Sequence, residues 1–166
     1  MAQSKNKKIK GGLISTDKVV ADNRRANFDY HIEERFDAGL VLVGTEVKSL
    51  RHGQCMLAES HVGLKDDHLF LLNAHIPEYQ QASPHLQHDP RRPRKLLLKQ
   101  KEINKLMGSI TRDGYTIIPT KLYFDKKGLA KLEIGLAKGK KMHDKRQDKK
   151  DKDWNRDKAR LLRERG

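Results

Sequence analysis

The feature that most constrains this chain is where its apolar periodicity stops. Residues 28–137 carry nearly all of the recurrent apolar spacing, and their sixteen basic and fourteen acidic side chains leave a net charge of only +2. Residues 1–27 carry +5 and residues 138–166 carry +7, so twelve of the fourteen excess positive charges lie on flanks with little to bury. A segment orders by itself only when apolar burial outweighs the conformational entropy it loses. The predicted organisation is therefore a flexible basic arm over 1–22, one compact domain over 23–137 and a basic tail over 138–166. Basic flanks attract a polyanion through counterion release, which makes nucleic acid the expected partner. The competing readings are a solubilising tail and an acidic membrane surface. A membrane-lying helix needs an apolar face, and Trp154, Leu161 and Leu162 are too few to make one. With no apolar run near the roughly 20 residues of a spanning helix and no apolar core in MAQSKNKKIKGG, a cytoplasmic location with no membrane partner is expected. One cysteine, Cys55, permits neither an internal disulfide nor a thiolate metal site.

Within the central segment, Phe28 to Val43 reads as one long bent strand. Gly44 to Arg51 reads as a short helix capped by Thr45, with Glu46 favouring the helix N-terminus and Gly53 closing it. Leu57 to Leu64 and His68 to Ile76 flank Lys65-Asp66-Asp67 and predict a hairpin. Residues 77–94 hold four of the five prolines and read as a loop. A long helix is predicted to start at Pro93, with Leu96, Ile103, Leu106, Met107 and Ile110 inward. Tyr115 to Phe124 and Leu129 to Ala137 predict a second hairpin, in which Pro119 demands an edge or a bulge. Five or six strands with two helices and no strand–helix alternation suit a small antiparallel barrel. The expected class is mainly β: an OB-fold-like antiparallel barrel with short helices, followed by a basic tail that is disordered or helical.

Candidate chemistry is sparse. His85, His88 and Asp89 offer metal-ligand types, but in a proline-rich loop they have no second cluster to complete a site. Asp29, Glu33, Glu34, Asp37 and Glu46 could hold magnesium for RNA cleavage, yet adjacent strand residues face opposite sides. There is no phosphate-binding glycine loop or nucleophile elbow, so neither enzyme activity nor a cofactor is expected. Basic clusters are more informative. Arg91, Arg92, Arg94 and Lys95 would meet phosphates at the start of the long helix, unless they only solvate it. Asn23, Arg24 and Arg25 could contact ribose or a base edge where the arm enters the barrel, or simply form a turn. His31, Tyr79 and Tyr123 could stack on bases, or belong to the core.

Four segments in series, Gly44-Thr45-Glu46-Val47-Lys48-Ser49-Leu50-Arg51, Asp89-Pro90-Arg91-Arg92-Pro93-Arg94-Lys95-Leu96-Leu97-Leu98, Gly135-Leu136-Ala137-Lys138-Gly139-Lys140-Lys141 and His143-Asp144-Lys145-Arg146, closely resemble the small protein B family, the SsrA-binding proteins of bacterial trans-translation. The resemblance runs from about Asn23 to the C-terminus. It implies an OB-type barrel that binds the tRNA-like domain of transfer-messenger RNA and travels with elongation factor Tu and GTP to ribosomes stalled without a usable stop codon. It also implies a tail that folds as a helix in the empty messenger channel past the decoding centre, and no enzyme activity.

By matching position, the resemblance places Asn23, Asp37, Leu97 and Lys131 on the RNA-contacting surface, with Leu97 alternatively a core-facing helix residue. It makes Lys138, Lys140 and Lys141 the root of the ribosome-contacting tail and His143, Asp144, Lys145 and Arg146 its decoding-centre segment, with Trp154, Leu161 and Leu162 further along. Asp37 stands where the family commonly has Glu, one methylene longer. A general basic RNA-binding or ribosome-assembly protein is the alternative reading.

Overall fold

The computed structural model describes residues 13, 14 and 16–165; most of the predicted arm lies outside them. The elements run β1 (Lys18–Asp22), α1 (Ala26–Asp29), β2 (Tyr30–Leu40), α2 (Gly44–Arg51), β3 (His61–Lys65), β4 (His68–Leu72), a 3-10 turn (Pro84–Leu86), β5 (Arg94–Leu97), α3 (Gln100–Asp113), β6 (Thr116–Phe124), β7 (Ala130–Gly139) and α4 (Met142–Glu164). One antiparallel sheet takes the order β1-β6-β7-β2-β5-β4-β3. It is rolled, because its far strand β3 returns to lie beside β6. The mainly β, barrel-like expectation therefore holds, with α3 packed on the roll and α4 projecting from it.

The sheet begins earlier than predicted. The arm was expected to reach residue 22, but Val19, Val20 and Ala21 supply short β-forming side chains, and β1 pairs along β6 from Lys18↔Phe124 to Asp22↔Lys121. Ile14 is also buried, and its N–H donates to the Arg51 carbonyl at 2.8 Å. At the other end β7 extends to Gly139, beyond the predicted boundary at 137, because Tyr30 and His31 pair with Gly139 and Lys138. The strand expected to start at Phe28 starts at Tyr30. The Ala26 N–H donates back to the Asn23 carbonyl at 3.1 Å and buried Ala26 anchors the turn of α1.

Two local expectations change for identifiable reasons. Arg94 to Leu97 is strand, not the first turn of the long helix. Arg94 and Leu96 point inward while Lys95 and Leu97 do not, a period of two. The helix waits until Gln100, where the Glu102 carboxylate accepts the Lys99 N–H at 3.0 Å. Thr45 does not cap α2; its hydroxyl is 2.8 Å from His88 Nδ1, and Val43 occupies the cap position. Pro119 does mark a bulge, since the β6–β7 register shifts between Pro119 and Lys121. The β3–β4 turn puts Asp66 and Asp67 at φ 48° and 59°, the mirror-image turn that suits a twisted hairpin.

The core gathers Leu50, Leu69, Leu71, Ile76, Leu106, Ile117, Leu122, Phe124, Leu132 and Ile134, all essentially inaccessible. Glu46 and Arg94 are equally inaccessible. A carboxylate and a guanidinium at full burial are costly unless paired and hydrogen-bonded, and these are. Arg94 Nε donates to Glu46 Oε1 at 3.2 Å, while its Nη atoms donate to the carbonyls of Ala74 at 2.6 Å and Pro90 at 3.0 Å. Arg92 completes the cluster by a two-pronged contact to the same carboxylate, at 2.8 and 3.0 Å.

Candidate nucleic-acid interface

Strand register builds a polar face across five strands of the barrel. Residues directly opposite across a ladder share a face, and β5, β2, β7, β6 and β1 align Leu97, Gly39, Lys131, Tyr123 and Val19 in one row. The adjoining row is Asp37, Glu133, Lys121 and Asp22. Asp37, Leu97 and Lys131 thus come together, lining a groove with Arg35, Phe36 and Lys99. Leu97 is no core-facing helix residue: it sits on a strand, 54% exposed. Gly39 leaves room opposite it: a Cβ there would make a tight contact, 3.2 Å from Leu97 Cβ.

The polar groups of this face are held by one another. Tyr123 donates its hydroxyl to Asp37 Oδ1 at 2.9 Å. Burial, then the Asp37 hydrogen bond and charge, push the Tyr123 hydroxyl up to about 12, so it remains a donor at neutral pH. Glu133 accepts from Arg35 at 2.9 Å and from Thr120 at 2.5 Å, with Lys121 at 3.7 Å. Its partial burial works against ionisation, but the hydrogen bonds from Thr120 and Arg35 and the charge of Lys121 hold it below the ordinary carboxylate range. Asn23 is mostly buried; its side-chain amide donates to the Pro119 carbonyl at 3.0 Å and its N–H to Thr120 at 2.7 Å, which fastens the β6 bulge. Arg24 and Arg25 beside it are exposed, at 3.7 and 3.6 Å from Asp22 and Asp29. The family resemblance pointed to Asn23, Asp37, Leu97 and Lys131; Arg35, Lys121 and Glu133, which the structure brings to the same face, were not singled out. Alternation could have put those three on the outer face; their meeting depends on register.

The arginine-rich segment divides. Arg94 is withdrawn from solvent, so the expectation that it reaches phosphates is corrected; Arg92 pairs with Glu46 and keeps a third of its side chain exposed. A buried acid needs both guanidiniums. Burial opposes ionisation of Glu46, but the Arg92 hydrogen bonds and the Arg94 charge outweigh it and hold the carboxyl below its ordinary value. Arg91 stays exposed, donating to Asn73 Oδ1 at 2.6 Å, and Lys95 is half-buried. His88 is structural. Its Nε2 donates to the Ile76 carbonyl at 2.9 Å, and its Nδ1 shares a hydrogen bond of 2.8 Å with the Thr45 hydroxyl. Tyr79 stacks on His52 with centroids 5.8 Å apart, and His31 is exposed. Cys55 is a buried small residue whose thiol burial pushes up to about 12, against the pull of Arg94.

The tail is a helix of 23 residues with none buried, about 35 Å long at 1.5 Å per residue. Lys138 lies 4.4 Å from the Tyr115 ring centroid, and Lys140 pairs with Asp148. His143 Nε2 is 2.8 Å from Asp144, Lys145 is 3.3 Å from Asp29, and Lys141 and Arg146 are exposed. Trp154, Leu161 and Leu162 are exposed as well. No helix among the described residues is long and apolar enough to cross a membrane.

A rolled sheet with a projecting basic helix is the arrangement the resemblance implied, and comparison with known proteins decides the family. The SmpB protein family model matches residues 20–164. The chain belongs to the SmpB family. Among curated relatives, the SsrA-binding protein of Agrobacterium fabrum is 55% identical over 153 residues, covering 92% of this chain and 95% of that protein. The SsrA-binding protein of Azorhizobium caulinodans is 52% identical over 166 residues, covering 100% of this chain and 99% of its own. A solved chain described as "tmRNA-SmpB: a journey to the center of the bacterial ribosome" superposes with a TM-score of 0.61 at 45% identity, over 74% of this chain and 85% of that one.

Proposed function

We propose that this chain is an RNA-binding adaptor for ribosome rescue. Its barrel binds the tRNA-like domain of transfer-messenger RNA, and its tail helix occupies the empty messenger channel of a stalled bacterial ribosome. Membership of the SmpB family, SsrA-binding relatives that match nearly the full length, and the tmRNA-SmpB neighbour support the reading. The observation that carries it is the division of labour in the molecule: a sheet face whose polar groups are pre-positioned, and a basic helix with no buried residue that projects from the barrel.

Pre-positioned groups lose less entropy on binding and read shape, whereas an exposed cationic helix supplies phosphate neutralisation and reach. In this reading Lys131 meets phosphate, Asp37 accepts from a base or ribose, Leu97 packs on a ribose or base, and Arg24, Arg25, Arg91 and Lys95 extend the basic margin. Lys138, Lys140 and Lys141 root the tail; His143 stacks on a ribosomal base, Asp144 orients it, and Lys145 and Arg146 meet phosphates. Messenger in the channel would compete with the tail, which restricts the adaptor to stalled ribosomes. The chain acts in the cytoplasm, is delivered with elongation factor Tu and GTP, and has no catalytic activity or cofactor of its own.

Truncation after Gly139 tests the division. Transfer-messenger RNA affinity is expected to survive largely intact while peptide tagging is abolished; parallel loss of both would favour the general basic RNA-binding protein. RNA incubated with the protein and magnesium should stay intact, and its degradation would favour a nuclease.

A further inference from the structure

Arg35 stands between two grooves of the sheet face. On one side lie Asp37, Leu97 and Lys131; on the other lie Asn23, Arg24, Asn27, Thr120 and Lys121, in a second groove of about 600 Å³. Register explains how Arg35 is aimed. Its partner directly across the ladder is Gly135, which offers no side chain, while Glu133 sits further along β7, opposite Asp37. Arg35 therefore crosses diagonally: its Nη1 donates to Glu133 Oε2 at 2.9 Å, and its Nη2 donates to Asn27 Oδ1 at 3.3 Å. The Glu133 carboxylate is itself anchored. Its side chain is only 16% exposed and accepts the hydroxyl of buried Thr120 at 2.5 Å. Arg35 keeps 45% of its side chain in solvent, and Lys121, 3.7 Å from the same carboxylate, keeps 41%. An acid this shielded is a poor contact for RNA but a firm hold for two cations.

We propose that the sheet face carries a second phosphate subsite, in which Arg35 and Lys121 contact backbone phosphates of the bound RNA and Glu133 is the positioning residue that holds both cations at the groove. The inference deepens the adaptor reading and rests on it for the identity of the RNA. A guanidinium takes phosphate through paired N–H groups. The bonds to Glu133 and Asn27 fix the plane of the Arg35 fork and leave other N–H groups for the ligand. Because Arg35 lines both grooves, an RNA backbone held there passes from the Asp37 and Lys131 side to the Arg24 side. Fixing a long side chain before binding strengthens the complex by about two- to tenfold. Charge and positioning then predict opposite signs for the loss of Glu133. By charge alone, removing a carboxylate from a face that meets RNA tightens binding; by positioning, it weakens binding, because Arg35 and Lys121 are released.

The test is filter binding of the full chain to a transcript of the tRNA-like domain of transfer-messenger RNA across a salt series. Glu133→Gln is expected to weaken binding by about two- to tenfold. Asp66→Asn, which removes the same charge from the exposed β3–β4 turn, is expected not to weaken it. Arg35→Gln and Lys121→Gln should each lower the slope of log affinity against log salt by about one. Arg35→Lys should keep the slope, and so should Lys65→Gln, a charge lost at the same turn as Asp66. The unsubstituted chain supplies a reading that needs no variant to fold: bound RNA should shield Arg35 from an arginine-specific dicarbonyl reagent, scored by mass spectrometry. Binding of Glu133→Gln as tight as that of Asp66→Asn would overturn the positioning role. An unchanged slope in Arg35→Gln, or equal modification of Arg35 with and without RNA, would overturn the subsite. Failure of the adaptor reading appears elsewhere, as an unsubstituted chain that does not prefer transfer-messenger RNA to ordinary tRNA.

Discussion

Glu46→Gln is the most informative single substitution in the barrel. Glu46 is fully buried and receives Arg94 at 3.2 Å and Arg92 at 2.8 and 3.0 Å. Glutamine keeps the volume but removes the carboxylate charge that pairs with both guanidiniums, and its amide N–H groups face donors instead of acceptors. Removing one partner of a buried ion pair costs about 3–5 kcal/mol, which for a domain of this size lowers Tm by about 10–20 °C. The penalty depends on pH with a definite sign. The folded carboxyl lies below the ordinary value of 4.5, so its contribution is fully present above that value and is lost as pH falls through the folded pKa. Urea unfolding followed by circular dichroism at pH 7 and again below pH 4 should give a large gap between the two proteins that shrinks in acid. At low temperature, where the variant stays folded, its transfer-messenger RNA affinity should match the unsubstituted chain within about twofold, because Arg94 is fully buried and offers an RNA no surface. A penalty under about 1 kcal/mol at pH 7, or a gap that does not change with pH, would refute the reasoning.

Three further outcomes follow from specific contacts. Tyr123→Phe should weaken transfer-messenger RNA binding by severalfold and add little to the effect of Asp37→Asn in the double variant, since each removes the same hydrogen bond; additive losses measured by filter binding would contradict a positioning role. Gly135→Ala should destabilise by about 1–3 kcal/mol, because its Cβ would stand 2.9 Å from Ile32 Cγ2, and Ile32→Ala in the same chain should recover part of that loss in urea unfolding. Arg146→Ala should reduce tagging more than RNA affinity, with equal losses counting against separate roles for barrel and tail.

The chain's overall plan was legible because it rests on local signals. Charge partition separated tail from barrel, turn residues at 65–67 and 125–128 located both hairpins, and Pro119 announced the β6 bulge. What was not legible rests on register and long-range pairing. Arg94 carries a charge, so composition assigned it to a surface; only the fold shows a buried carboxylate 48 positions earlier waiting for it. The segment from Pro93 onward contains both a period of two and the beginning of a helical period, and proline is compatible with either start, so the reading took the longer pattern. The short strand won because Leu96 and Leu97 find Leu40 and Gly39 across the ladder, partners no local window contains. In the same way Asp37 and Lys131 came one at a time from the family resemblance, while the two adjoining rows that Tyr123 links exist only once β6, β7 and β2 are aligned.

The most direct test of a barrel that reads RNA shape is competition. The full chain and the chain truncated after Gly139 would each be bound to transfer-messenger RNA against excess ordinary tRNA, at physiological and at high salt. A pre-positioned sheet face predicts that preference for transfer-messenger RNA persists in both proteins at both salts, with the tail changing total affinity more than selectivity. Equal binding of the two RNAs that disappears with salt would mean that the +14 charge accounts for the whole interaction, and would contradict a shape-reading barrel.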